Sequence, residues 1–267
     1  MDYIKAEDTN EGHNKTILDI VLTVLEYKTQ GIQPINRKGF CSNYLADSEV
    51  GEPVLLYLKE SSFHLPPSLA AQSTRPILMI GAGAGIAPFR GFWQKVMMDT
   101  QHSSMQKDVI EHLASLELKS DDSQNVFPEE AFGDANITSM AMFFGCRDKN
   151  CNLLEYETNL YKNVITRFNA FSREANLPKQ YVSDIMKEEH NLIYDALVER
   201  NGLIYVCGKI ALANVVFKTL VFIIAQQLIE QNVVADPESA NVTAEDFINS
   251  LIDDGRYHQD IFGTDDV

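Results

Sequence analysis

A chain of 267 residues with 45% apolar side chains is long enough to bury one large core or two modest ones, which argues against wholesale disorder. Its 38 acidic residues against 22 basic ones leave a formal charge of −16, without the basic footprint that nucleic acid or an anionic membrane surface requires as a partner. An anionic cofactor is not excluded, because it meets a local pocket and not the net charge.

The N-terminus, MDYIKAEDTNEGHNK, is polar and acidic and reads as neither a signal nor a transit peptide. Ile17 to Glu26 is rich in Ile, Val and Leu with loose alternation and is expected to be a strand. Tyr27 to Lys38 reads as a loop with Gly31 and Pro34. Gly39 to Leu45 (GFCSNYL) opens a short helix with Ser42 in a capping position. Pro53 to Lys59 (PVLLYLK) reads as another strand, stopped by the proline of SSFHLP. Residues 1–75 thus form a β-rich unit with one short helix, ending in the polar linker Ala71 to Arg75.

From Pro76 the pattern changes. Ile77 to Ile80 is a short apolar strand, followed by a glycine-rich turn and a helix through Phe89, Trp93 and Val96. A polar, acidic insertion spans about Ser103 to Ser139, with Val109 to Leu118 compatible with helix and the rest a solvated loop. Met140 to Phe144 is the next apolar strand, then a helix is expected around Tyr156 to Phe168, with further helix over Tyr181 to Met186 and Leu192 to Glu199. Leu203 to Cys207 is a third buried strand. Ile210 to Ile229 is nearly long enough to span a bilayer. Asn214 and Lys218 interrupt it and it directly follows a strand, so a buried crossover helix is expected and not a membrane span. Short apolar strands alternating with helices signal an α/β, doubly wound parallel sheet over residues 76–267.

The most informative local pattern is strand, then GAGAGIAPFR, then helix. Glycines at 81, 83 and 85 let the backbone turn tightly and approach a ligand, and the following helix turns its positive end toward a pyrophosphate. Tight turns also use glycine for purely structural reasons, so the triplet alone leaves both readings open. FFGCR ends a strand in glycine and Arg147, and IYVCG ends another in Cys207 and Gly208. Ligands of open sheets bind at the carboxyl ends of strands, where these residues would lie. Taken alone, Cys207 reads as a small buried hydrophobe before it reads as a ligand contact. The four cysteines, Cys41, Cys146, Cys151 and Cys207, form no C-x-x-C pair, so reduced thiols in a cytoplasmic protein are expected and no metal set is singled out.

These segments carry a resemblance. GAGAGIAPFRGFWQ resembles the GPGTGIAPFRxFxQ segment of the diflavin reductases, and FFGCR and IYVCG follow in that family's order. The terminal GRYHQDIFG (Gly255 to Gly263) is similar to the RYHEDIFG segment of nitric oxide synthases. FCSNYL with SFHLP, and SREANLPKQYVSDI, fit the synthases in order and spacing. The chain therefore resembles the C-terminal FAD/NADPH reductase region of a nitric oxide synthase, which is ferredoxin-NADP reductase-like. The resemblance implies an NADPH-binding domain preceded by an incomplete antiparallel FAD-binding β-barrel. It implies NADPH and FAD as cofactors, with FMN and haem only in a full-length parent, whose FMN or haem domain would be the partner.

Residue by residue, the resemblance implies that Gly39, Phe40, Cys41 and Ser42 hold the FAD pyrophosphate. Gly81, Gly83, Gly85 and Ile86 form the NADPH turn, and Arg147 and Gly208 line the crevice. Ser172, Arg173, Lys179 and Tyr181 match the grip on the adenosine 2′-phosphate, for which an arginine fork and a lysine are chemically suited. A solvated charged loop is the bland alternative. Cys207 and Asp260 match groups placed around the nicotinamide and the flavin N5 during hydride transfer, and Phe262 matches the aromatic that covers the flavin ring.

Several positions depart from the family. The R-x-Y-S segment that contacts the flavin ring has no counterpart before Ile17. The usual Pro and Thr of the glycine turn are Ala82 and Ala84. Ser183 stands where a glutamine usually contacts the adenosine, and Lys209 replaces an acidic residue after the Cys-Gly. The function expected is therefore NADPH-to-FAD hydride transfer feeding electrons toward haem, with a non-catalytic, nucleotide-binding or regulatory fragment as the alternative.

Overall fold

The computed structural model describes residues 3–4, 18–30, 33–57, 59–66, 75–100, 140–162 and 164–263. Two compact units result, Met1–Ser62 and Phe63–Val267. The acidic insertion expected over residues 103–139 lies outside the described residues.

In the first unit, β1 (Tyr3–Ile4) pairs antiparallel with β2 (Leu18–Asp19), and β3 (Glu26–Lys28) pairs antiparallel with β4 (Asn36–Lys38). The single strand expected from Ile17 to Glu26 is broken after Asp19. The expected loop from Tyr27 to Lys38 is instead a hairpin. Thr29 closes it, donating its N–H to the Ile35 carbonyl at 2.9 Å and accepting the Ile35 N–H on its hydroxyl at 2.9 Å. Lys38 and Glu26, opposite each other, form an exposed ion pair at 3.3 Å. Pro34 falls in the loop, where its missing N–H costs no ladder bond.

Helix α1 (Phe40–Asp47) follows at once. Its N-cap is Gly39, with no side-chain cap, so Ser42 does not cap it as expected. The Ser42 hydroxyl accepts the Leu25 N–H at 3.0 Å, and Asn43 Nδ2 donates to the carbonyls of Leu25 at 3.1 Å and Gly39 at 2.8 Å. The helix start is thus tied to the segment leading into β3. The strand expected over Pro53 to Lys59 has no ladder partner among the described residues, and Leu55 is 99% exposed.

In the second unit five strands form one parallel sheet: β5 (Ile77–Ala82), β6 (Met140–Cys146), β7 (Ile165–Phe171), β8 (Leu203–Lys209) and β9 (Tyr257–Phe262). Their order is β7-β6-β5-β8-β9, with every neighbouring pair parallel. The helices are α2 (Ala87–Thr100), α3 (Glu155–Leu160), α4 (Val182–Glu188), α5 (His190–Tyr194), α6 (Ile210–Glu230) and α7 (Pro237–Asp253). The fold class is α/β, and the short antiparallel ladders of the first unit are consistent with part of an antiparallel barrel.

Two faces of the sheet are covered differently. Ile80, Phe143, Ile204 and Val206 face a core built with α4, α6 and α7. Met79 and Tyr205 alternate to the other face, where the rings of Phe63, Phe89, Phe92 and Tyr205 pack in edge-to-face, tilted and stacked pairs, with centroids 4.8–6.1 Å apart. Helix α6 is long and apolar enough to cross a membrane by length and composition. In the structure it is the crossover helix: Val216, Leu220, Ile223 and Ile224 are buried, while Asn214 and Lys218 fall on its exposed side.

The helix expected around Tyr156 to Phe168 ends at Leu160. After a turn the chain enters β7, which pairs with β6 over seven residues from Ile165 to Phe171. Over Leu192 to Glu199, α5 gives way to a π-helical turn, Asp195–Glu199. Helix α7 and strand β9 were not anticipated as elements.

Candidate functional site

The chain begins the sheet in its middle at β5, moves outward through β6 to β7, and returns to β8 on the other side of β5. The carboxyl ends of β5 and β8 therefore flank a topological switch point, where open α/β sheets bind ligands. A 3₁₀ turn, Gly83–Ile86, leaves β5 there and leads into α2. Gly83 has φ +55°, and a Cβ added to it would meet nothing within 4 Å, so the turn has its open side there. At Gly85 a Cβ would stand 2.2 Å from the Cys207 carbonyl oxygen, so only glycine lets the turn press onto β8. Ile86 is fully buried beneath the turn. The structure thus brings Gly81, Gly83, Gly85, Cys207 and Gly208 together, with the first-turn amides of a fourteen-residue helix behind them.

Register aligns the next group. Gly81 is opposite Cys207 and Cys207 opposite Asp260, so three adjacent strands present these residues at one level. Asp260 is exposed, and Phe262, two pairs further on, is 43% exposed. Cys207 is buried. Burial pushes its thiol up to about 12, and the Asp260 carboxylate adds to the shift. At neutral pH it is a neutral thiol and not a nucleophilic thiolate.

At the carboxyl ends of β6 and β7 a third group forms. Ser172 donates its N–H to the Cys146 carbonyl at 3.0 Å, and Arg173 donates its N–H to the Arg147 carbonyl at 2.7 Å. The exposed Arg147 and Arg173 therefore leave the sheet side by side. The Gln180 N–H returns to the Phe171 carbonyl at 3.0 Å, closing the loop that carries Lys179. Lys179 Nζ lies 5.2 Å from the Tyr181 ring centroid, and the Tyr181 N–H is bound by Asp184 Oδ2 at 2.8 Å at the start of α4. Ser183 is half-buried in the first turn of that helix. Gly145 admits α4, because a Cβ there would lie 2.7 Å from Val182 Cγ2.

The other half of the glycine motif has a partner that sequence reading did not find. Glu157 on α3 is buried and accepts Arg90 Nε on Oε2 at 2.8 Å, with Trp93 Nε1 at 2.7 Å and Gln94 Nε2 at 3.3 Å on Oε1. Arg90, Trp93 and Gln94 of GAGAGIAPFRGFWQ thus anchor α2 behind the turn. Glu157 stands more than sixty residues away in an unremarkable helix, so no local pattern announces it.

Gly39, Phe40, Cys41 and Ser42 belong to the first unit. Phe40 and Cys41 are exposed at the start of α1. The first-turn amides suit a diphosphate oxygen, but the Ser42 oxygen already holds the Leu25 N–H. The stretch before Leu18, where the flavin-ring motif was missed, lies almost wholly outside the described residues.

An open parallel sheet, with a glycine turn pressed on the neighbouring strand at the switch point, defines a dinucleotide-binding α/β domain. The chain belongs to the oxidoreductase NAD-binding domain family, whose model matches residues 79–218. It is also 30% identical over 250 residues to the nitric oxide synthase of Drosophila melanogaster, covering 92% of this chain and 15% of that one. A nitric oxide synthase-like protein of Bombyx mori is 32% identical over 253 residues, covering 92% and 19%. Nitric oxide synthase 3 of Sus scrofa is 31% identical over 255 residues, covering 91% and 17%. The similarity is to the reductase region of the synthases, and the chain spans less than a fifth of the length of these relatives.

Proposed function

We propose that the chain is the NADPH-binding part of a flavoprotein reductase of nitric oxide synthase type, in which hydride passes from NADPH to FAD and electrons move on toward haem. The observation that carries this reading is the gathering of Arg147, Ser172, Arg173, Lys179 and Tyr181 at the end of β6 and β7, beside the dinucleotide crevice. Two arginines and a lysine match a phosphate monoester dianion, which NADPH has and NADH lacks. The open glycine turn receives the diphosphate. With NADPH bound, the neutral Cys207 thiol would pack against the nicotinamide, and Asp260 would offer negative charge beside that ring. Phe262, exposed on the same face, would be the aromatic offered to a flavin ring. Gly39, Phe40, Cys41 and Ser42 would hold FAD, which supplies the hydride acceptor when bound. Four free cysteines support a reducing, cytoplasmic setting, and the partner is the FMN or haem domain of a parent synthase.

The full chain is expected to bind a 2′,5′-ADP matrix and to be released by free NADPH. Arg173→Ala should weaken NADPH binding about tenfold or more, leaving NADH binding unchanged. Absence of retention sinks the proposal. A second reading, nucleotide binding without catalysis, draws on the engaged Ser42 oxygen. NADPH-dependent ferricyanide reduction by the chain supplied with FAD separates the two, because turnover rules out the second.

A further inference from the structure

We propose that Lys209 binds the dinucleotide's diphosphate, on its nicotinamide side. The inference rests on the reading of the crevice as an NADPH site. Strand alternation fixes where Lys209 starts. Tyr205 and His258 are opposite each other, and their rings stack at 4.6 Å and 11°, so both project to one face. Two residues on, Cys207 and Asp260 project to that face, and two further on, Lys209 and Phe262. This is the face covered lower down by α2, since a Cβ on Gly81 would stand 2.9 Å from Phe89. Lys209 therefore shares its face with the groups placed at the nicotinamide.

It is also close to the turn. The Gly208 Cα lies 3.3 Å from the point where a Gly85 Cβ would stand, and Lys209 is the next residue along. Its four-carbon stem covers that separation with reach to spare. The turn needs such a neighbour. Ala82 and Ala84 carry no hydroxyl, so the turn offers backbone amides alone. The motif's own cation, Arg90, is held on Glu157 at 2.8 Å; Arg147 follows β6, on the side of β5 away from β8, and Arg173 and Lys179 follow β7, a strand further out. Asp260, exposed on the same face, repels a diphosphate, and a cation between the two offsets that repulsion. Lys209 is exposed and forms no ion pair with any described residue.

The test compares calorimetric dissociation constants of the full chain for NADP⁺ and for 2′,5′-ADP, which lacks the nicotinamide-side phosphate. Lys209→Gln should weaken NADP⁺ about tenfold and leave 2′,5′-ADP within about twofold. Lys209→Arg should restore most of the loss, and the gap should narrow as salt is raised. Unchanged NADP⁺ affinity in Lys209→Gln overturns the assignment, and so do equal losses for both ligands, which a general disturbance of the fold would produce. If the unsubstituted chain binds neither ligand, the NADPH reading itself fails and takes this one with it. If it binds both and the variant matches it, only Lys209 is dismissed.

Discussion

Glu157 in the second unit and Asn43 in the first are both buried polar side chains with several partners, yet they sit in different surroundings. Glu157 lies among elements whose apolar faces are fully covered: Trp93, which donates to it, is completely buried. Asn43 reaches two carbonyls and the Ser42 hydroxyl, but its neighbours Phe40 and Tyr44 are exposed, Phe40 by 88%. In the second unit the hydrogen bonds are made inside a core that burial keeps from water. In the first they supply most of what orders the helix start. The difference ranks the consequences of breaking each.

The largest effect is expected from Glu157→Ala. It removes the acceptor of a 2.8 Å charged bond from Arg90 and of the fully buried Trp93 indole. Breaking a buried pair on one side costs about 3 to 5 kcal/mol. Urea unfolding of the second unit should show it, and a loss below about 1 kcal/mol would mean that burial alone fixes α2. Glu157→Gln keeps an acceptor for Trp93 and should lose less.

A smaller effect follows from pH. Burial raises the Cys207 thiol from 9.0 to about 12, and the Tyr205 hydroxyl from 10.0 to about 12. Each folded pKa lies above the unfolded one, so the neutral form is favoured by folding. The resulting stability is complete below about pH 9 and is lost as pH rises toward 12. At pH 10 Cys207 alone should account for about 1 kcal/mol. The thermal midpoint of the sheet should fall from pH 8.5 to 10, and Cys207→Ala should flatten that fall. A steeper fall in the variant would remove burial of the thiol as the cause.

The two units also differ in how much of them could be read beforehand. β5, β6 and β8 are buried on both faces, so their continuous apolar runs identified them, and the glycine turn identified the site. β7 is an edge strand whose Thr166, Arg167 and Asn169 interrupt the apolar pattern. Arg167 is accommodated by Asn169 Oδ1 at 2.8 Å, Thr158 Oγ1 at 3.0 Å and the face of Phe144, a solution assembled by tertiary packing. Helix α7 did have a legible start, with Asp236 capping Ser239, Pro237 in the first turn, and Ala240, Ala244, Ile248 and Leu251 buried at helical spacing. In the first unit the hairpin depends on Thr29 meeting Ile35, and the polarity of Glu26–Lys38 concealed it. Of the candidate site, residue identities were legible, but contact between Gly85 and the Cys207–Gly208 backbone, and the register of Cys207 with Asp260, required the sheet order.

Asn43→Ala should produce the smallest of the three changes, and a local one. Its amide donates to Gly39, the N-cap of α1, and to Leu25, just before β3, so its loss leaves two carbonyls without that donor. Each neutral hydrogen bond contributes about 1 kcal/mol net, and carbonyls near the surface recover much of that from water. Amide hydrogen exchange should therefore quicken along Phe40–Asp47 by about tenfold or less, with protection of β5, β6 and β8 unchanged. Phe40→Ser, which removes a larger but exposed side chain, should leave the same amides within about 0.5 kcal/mol of their original protection. If instead Phe40→Ser loosened α1 more than Asn43→Ala, the helix would be held by its apolar surface, and the contrast between the two units would collapse.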